Sequence, residues 1–103
     1  MENPGKKSIM MHTIPIDLDR VKQEDIDREI LRTAIIAELD AINLYEQMAA
    51  LAKDVNIKKV LMDIAGEEKT HVGEFQAMLL MKDEEQVKEL EAGRKEVEEM
   101  MEE

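Results

Sequence analysis

The sequence has no cysteine and no tryptophan, and only one Tyr, one Phe and two Pro. Without cysteine there is no disulfide, no thiolate metal cluster and no cysteine nucleophile. With aromatics at 2% of the chain, Leu, Ile, Val, Ala and the nine Met must fill any interior. Residues that favour strands are few, while Glu, Lys, Ala, Leu and Met dominate, so the composition argues for an all-α protein. No apolar run is long enough for a membrane span. The start, with Lys6, Lys7 and then Ile9-Met10-Met11, is too short and polar for a secretion signal. The default location is therefore the cytoplasm. Positive charge is also scarce: 14 Lys and Arg face 25 Asp and Glu, for a net charge of −11. That balance argues against nucleic acid or an anionic membrane as the main partner, and favours cations or a basic protein surface.

A chain of 103 residues allows one domain. It buries a limited core alone, which favours oligomerisation. Residues 1–20, broken by Pro4-Gly5 and Pro15, read as a flexible N-terminal arm. The helical domain covers 21–101, with helices over about 22–53, 55–81 and 84–100. The acidic end, 102–103, is expected to fray. The polar break at Lys53-Asp54-Val55-Asn56 makes the first two helices an antiparallel hairpin, with Asp54 as the cap of the second. Asp83 and Gln86 form a capping-box pattern at the start of a short C-terminal helix. That helix has a narrow stripe of Val87, Leu90, Val97, Met100 and Met101, weakened by Gly93. Gly66 and Gly73, inside the second helix, each cost about 1 kcal/mol relative to Ala, so a close helix contact is one reason for them.

At about 100° per residue, Leu31, Ala34, Glu38, Ala41, Ile42, Tyr45, Ala49 and Ala52 share one face of the first helix, with Glu38 near its centre. A second strip, Ile30, Ala37, Leu44 and Leu51, runs beside it, so the apolar surface is wider than one partner helix needs. In the second helix the stripe is Ile57, Leu61, Ile64, Val72, Phe75 and Leu79, with Glu68 in its middle and His71 at one side. Glu68 and His71 form a Glu-x-x-His step, one turn apart on one face.

Lys53 lies fifteen residues after Glu38 and fifteen before Glu68. Both glutamates therefore stand at one height, roughly 22 Å from the turn at 1.5 Å per residue. Buried carboxylates need a compensating positive charge, and no Lys or Arg falls in either stripe at that height. A divalent cation would satisfy Glu38, Glu68 and His71 together. One chain supplies two carboxylates and one imidazole, too few for two ions. A two-fold dimer supplies twice that, which is the ligand set of di-iron four-helix bundles. Such ligands suit iron or manganese. Tyr45, two turns from Glu38, reads either as core packing with its hydroxyl bonded or as an outer partner or redox neighbour of the ligands. Glu67 and Glu74 read as a solvated or salt-bridged edge, with iron entry as the minority reading, Asp40 and Glu46 are expected at the surface, and His12 is expected to be solvated in the arm. The methionines read as core fillers.

The stretch from Ile35-Ile36-Ala37-Glu38-Leu39-Asp40 through Tyr45-Glu46-Gln47-Met48-Ala49, followed by Glu67-Glu68-Lys69-Thr70-His71-Val72-Gly73-Glu74-Phe75, resembles the encapsulated ferritins, above all their archaeal and thermophilic branch. The likeness covers roughly residues 25–95. It implies that Glu38, Glu68 and His71 are iron ligands and that Tyr45 matches the family's site-adjacent tyrosine. It implies a dimer that rebuilds a ferritin-like four-helix bundle with a di-iron centre at the subunit interface. It further implies a ring of dimers, typically a decamer, inside an encapsulin nanocompartment that stores the iron. The expected activity is that of a ferroxidase. Two departures stand out. Ala37 replaces one of two acids that some members use for metal uptake, with Asp40 at the other. The end, Glu98-Glu99-Met100-Met101-Glu102-Glu103, is not the Gly/Leu/Ile-rich shell-targeting peptide of cargo proteins. A shortened chain, natural fusion to the shell, or docking through another segment would each account for that. The rival readings are a non-catalytic metal-binding or scaffold oligomer, a rubrerythrin-like peroxidase, for which the missing cysteines leave no rubredoxin centre, and a plain helical oligomer whose acids meet a partner's cations.

Overall fold

The Asp54 carboxylate accepts hydrogen bonds from the backbone N–H groups of Asn56 (2.7 Å) and Ile57 (3.2 Å). It thereby satisfies donors that a helix start leaves without partners. In the computed structural model, which describes residues 22–102, this cap opens helix α2, Val55–Lys82. Helix α1, Ile26–Leu51, precedes it, entered through one 3-10 turn at Gln23–Asp25. Helix α3, Glu84–Glu102, follows Asp83. The described residues are all helical, and none of these helices is long and apolar enough to cross a membrane.

Boundaries differ from expectation at both ends. Regular α-helix begins at Ile26 rather than near residue 22. Asp25 makes no side-chain cap bond and instead pairs with Arg28, one turn on. The end of α3 holds its helix through Glu102, where fraying was expected. The N-terminal arm, 1–20, and His12 within it lie outside the described residues.

Three cross-helix pairs show α1 and α2 to be antiparallel. Arg32 reaches Asp83 (2.7 Å), Glu38 reaches His71 (3.3 Å) and Glu46 reaches Lys69 (3.0 Å). The seam between them buries Leu31, Ile42 and Ala49 of α1 against Ala65 and Leu79 of α2. These are the only buried apolar residues among those described, a small core for a folded unit. The radius of gyration, 17.6 Å, exceeds the roughly 13 Å of a globule of about 100 residues.

Asp83 joins all three helices. One carboxylate oxygen accepts from the Gln86 N–H (3.0 Å) and so caps α3, while the other accepts from the Arg32 guanidinium of α1. The Gln86 backbone bond, followed by Arg32, holds the Asp83 carboxyl below the ordinary aspartate range. Beyond this junction α3 has no buried residue, and its backbone approaches α2 but not α1. Arg94, midway along it, is tied to Glu91 and Glu98 of the same helix.

Gly66 and Gly73 do not serve a close contact within the chain. A Cβ added at either would meet nothing within 4 Å.

Candidate metal centre

Glu38 stands on α1 in the stripe that carries Leu31, Ile42 and Ala49, so the packing that buries those residues also draws its carboxylate inward. Glu68 and His71 stand one turn apart on the facing stretch of α2. His71 Nδ1 lies 3.3 Å from Glu38 Oε2 and 3.5 Å from Glu68 Oε2. One candidate ligand atom from each of the three lies within 4.8 Å of the others. Among the described residues no other group of three acids or histidines meets this way.

The side chains of Glu38 and Glu68 are 19% and 18% exposed, and that of His71 is 43% exposed. The cluster is thus closed toward the hairpin seam and open on one side. Glu38 Oε2 is shut from solvent and has no hydrogen-bond partner, an arrangement that is costly for a carboxylate left as it stands. The nearby cations are engaged elsewhere: Lys69 with Glu46, and Arg32 with Asp83.

The donor set fits a divalent cation. Ligand atoms at about 2.0–2.2 Å from an ion stand roughly 3 Å from one another, close to the separations around His71 Nδ1. Carboxylate oxygen with imidazole nitrogen is the chemistry of iron, manganese or zinc sites rather than copper(I). Three donors leave coordination positions unfilled on the open side.

Tyr45 is half-buried on α1, and among the described residues its hydroxyl hydrogen-bonds neither carboxylate. Glu67 and Glu74 are exposed, as expected. Asp40 and Glu46 are not plain surface residues. Both are half-buried, Asp40 with Oδ2 shut from solvent and Glu46 in the pair with Lys69. The cross-helix pairs of Arg32 and Glu46 escaped the periodicity argument, because nothing in a helical repeat reports which charges meet across a hairpin.

Fold and cluster together define a ferritin-like helical protein with a carboxylate and histidine site capable of holding a metal. Residues 29–103 match the family model described as rubrerythrin. A ferritin-like-encapsulin shell fusion protein of Pyrococcus furiosus is 58% identical over 85 residues, which make up 82% of this chain and 25% of that protein. The chain therefore spans about a quarter of the length of that relative. The crystal structure of the encapsulated ferritin domain from Pyrococcus furiosus is similar with a TM-score of 0.74 and 54% identity, over 88% of this chain and 93% of that one. The chain belongs to the encapsulated ferritins, within the rubrerythrin family.

Proposed function

We propose that two copies of this chain pair through the open side of the cluster and form a ferroxidase, with Glu38, Glu68 and His71 of each copy holding one half of a di-iron site. The observation that carries this reading is the Glu38 oxygen, sealed from water and without a hydrogen bond, beside an imidazole and a second carboxylate. Around the open side, Ile30, Val60 and Met78 are exposed, and apolar area of this kind marks a protein contact. Pairing two clusters brings four carboxylates and two imidazoles together, enough for two Fe(II) ions.

Iron supplies the redox step: two Fe(II) each give up one electron, and O2 with two protons becomes hydrogen peroxide. The protein's part is to bind and orient. Glu38 and Glu68 offer negative oxygens that favour the more highly charged product ion, and His71 offers Nδ1 toward the same point. Tyr45 stands by as a redox neighbour on α1. The acidic surface, at net −11, raises the local concentration of cations. The relatives support a further reading, that the chain works inside an encapsulin nanocompartment; in our proposal that compartment stores the Fe(III) and the dimers are arranged as a decameric ring.

Aerobic Fe(II) oxidation, followed by the near-ultraviolet absorbance of Fe(III), tests the enzyme reading. Wild type is expected to oxidise iron and Glu38→Ala to fail. Equal rates would sink the mechanism. Iron bound in the expected ratio but never turned over would favour the metal-binding scaffold instead. Tyr45→Phe is expected to slow oxidation while leaving Fe(II) binding unchanged, and an unchanged rate would reduce Tyr45 to packing.

A further inference from the structure

Lys69 follows one candidate ligand, Glu68, and stands two places before another, His71. Of the described Lys and Arg residues it is the one at the height of the cluster. Counted from Lys53, Glu38 and Glu68 each stand fifteen residues along their helices and Lys69 sixteen. Lys58 and Lys59 lie near the turn, and Arg32 lies six residues beyond Glu38. Two neighbouring carboxylates attract any ammonium that can reach them. A lysine seated there would occupy the oxygens that a metal ion needs.

The Lys69 ammonium goes elsewhere. Its Nζ lies 3.0 Å from Glu46 Oε2, while Glu38 and Glu68 each face the His71 imidazole. Glu46 stands seven residues from Lys53, so it sits roughly 13 Å nearer the turn than Lys69 at 1.5 Å per residue. Helical side chains lean toward the N-terminus of their own helix. In an antiparallel hairpin the Lys69 stem therefore leans toward the turn and the Glu46 side chain leans away from it, and the two meet between their levels. At about 100° per residue, Lys69 and His71 also fall on opposite sides of Glu68 around α2. The ammonium is thus drawn down the hairpin and away from the open side of the cluster. At 59% and 40% exposure, a pair of this kind adds little to stability, so a clip between the helices is a poor account of it.

We propose that Glu46 is a positioning residue for the metal cluster: it holds the Lys69 ammonium clear of Glu38 and Glu68, so that both carboxylates stay open to a divalent cation. Glu46 acts through Lys69. The pair is neutral in sum, so the cluster keeps the attraction of its own two carboxylates for a dication. This deepens the reading of the cluster as a metal site and rests on it, but it does not require the metal to be oxidised.

Anaerobic calorimetry with Fe(II) alone tests the proposal on the four members of a double-mutant cycle: wild type, Glu46→Gln, Lys69→Gln and the double variant. Glu46→Gln is expected to weaken Fe(II) binding by about three- to tenfold, because the freed ammonium turns to the carboxylates. With Lys69 already replaced, the same change is expected to alter affinity by less than about twofold. Lys69→Gln alone is expected to bind at least as tightly as wild type. Circular dichroism checks that each variant keeps its helices. A clip between helices predicts another pattern, in which both single variants and the double lose affinity alike, and that pattern would overturn the proposal. So would an equal loss from Glu46→Gln in both Lys69 backgrounds, which would reduce Glu46 to one more negative charge. A wild type that binds no Fe(II) would remove the metal site and this proposal together. Binding in the expected pattern without oxidation in air would sink the enzyme reading and leave Glu46 in its role.

Discussion

At the scale of the residue, Glu38 is placed at a cost to the empty protein. One of its oxygens is sealed from solvent without a hydrogen bond, with the His71 imidazole 3.3 Å away as its close polar neighbour, and a buried polar atom without a hydrogen bond costs about 1–3 kcal/mol. Glu38→Met keeps much of the volume and removes the charge. In metal-free protein it is expected to raise stability by about 1 kcal/mol, read as a higher denaturation midpoint. In the same variant Fe(II) binding is expected to fall by more than the roughly 10–100-fold that loss of an outer hydrogen-bond partner of a metal ligand causes, read by calorimetry. The opposite signs matter. A purely structural Glu38 would lose stability and leave metal binding alone.

At the scale of the element, the helix starts make separate predictions. Asp54 accepts two backbone N–H groups at the start of α2, so Asp54→Ala is expected to cost about 1 kcal/mol in chemical denaturation. Asp83 titrates below the ordinary aspartate value of about 3.9, held there first by the Gln86 N–H and then by Arg32. A carboxyl with a depressed folded value stabilises the fold above its unfolded value and loses that contribution as pH falls through the folded one. The α3 junction is therefore expected to survive mild acid and open only below about pH 3.9. Carboxyl chemical shifts would follow it, and Arg32→Ala should move the Asp83 midpoint upward. Gly66→Ala, with open space where its Cβ would stand, is expected to strengthen the hairpin by about 1 kcal/mol in chemical denaturation.

Much of this was legible beforehand. Apolar repeats gave the helices, and the Asp54 and Asp83 caps follow from short-range pattern. The even spacing of Glu38 and Glu68 about Lys53 anticipated that they would meet. The Arg32–Asp83 and Glu46–Lys69 pairs were not legible. They depend on helix rotation and on how far long side chains lean, so they do not pair the residues that a count from the turn would pair. The half-burial of Asp40 was missed for a different reason: at 100° per residue it stands some 200° around α1 from Glu38, opposite the apolar stripe, where periodicity predicts exposure.

At the scale of the whole molecule, the single chain is mostly surface. Its seam buries few apolar residues, and its radius of gyration is that of an open arm rather than a globule. Stability should then depend on association. The melting temperature is expected to rise with protein concentration and again with added Fe(II) under anaerobic conditions, as linkage requires of anything that binds only the folded state. A concentration-independent melting temperature would mean that the chain stands alone. Under the proposed pairing, chains separated without unfolding, by mutation of the apolar residues around the open side, would each hold only half of the ligands and should lose iron oxidation.

The Asp83 junction also has a consequence for architecture. A closed ring needs each joint to turn by the same amount, and small errors accumulate around the circumference. Here the bend between the hairpin and α3 is set by one carboxylate shared between a helix cap and an arginine. That makes the junction a hinge angle encoded in a single side chain. Asp83→Glu keeps the charge and adds one methylene, so in the ring proposed above the quantity it should shift is the number of copies that close the circle, with native mass as the readout.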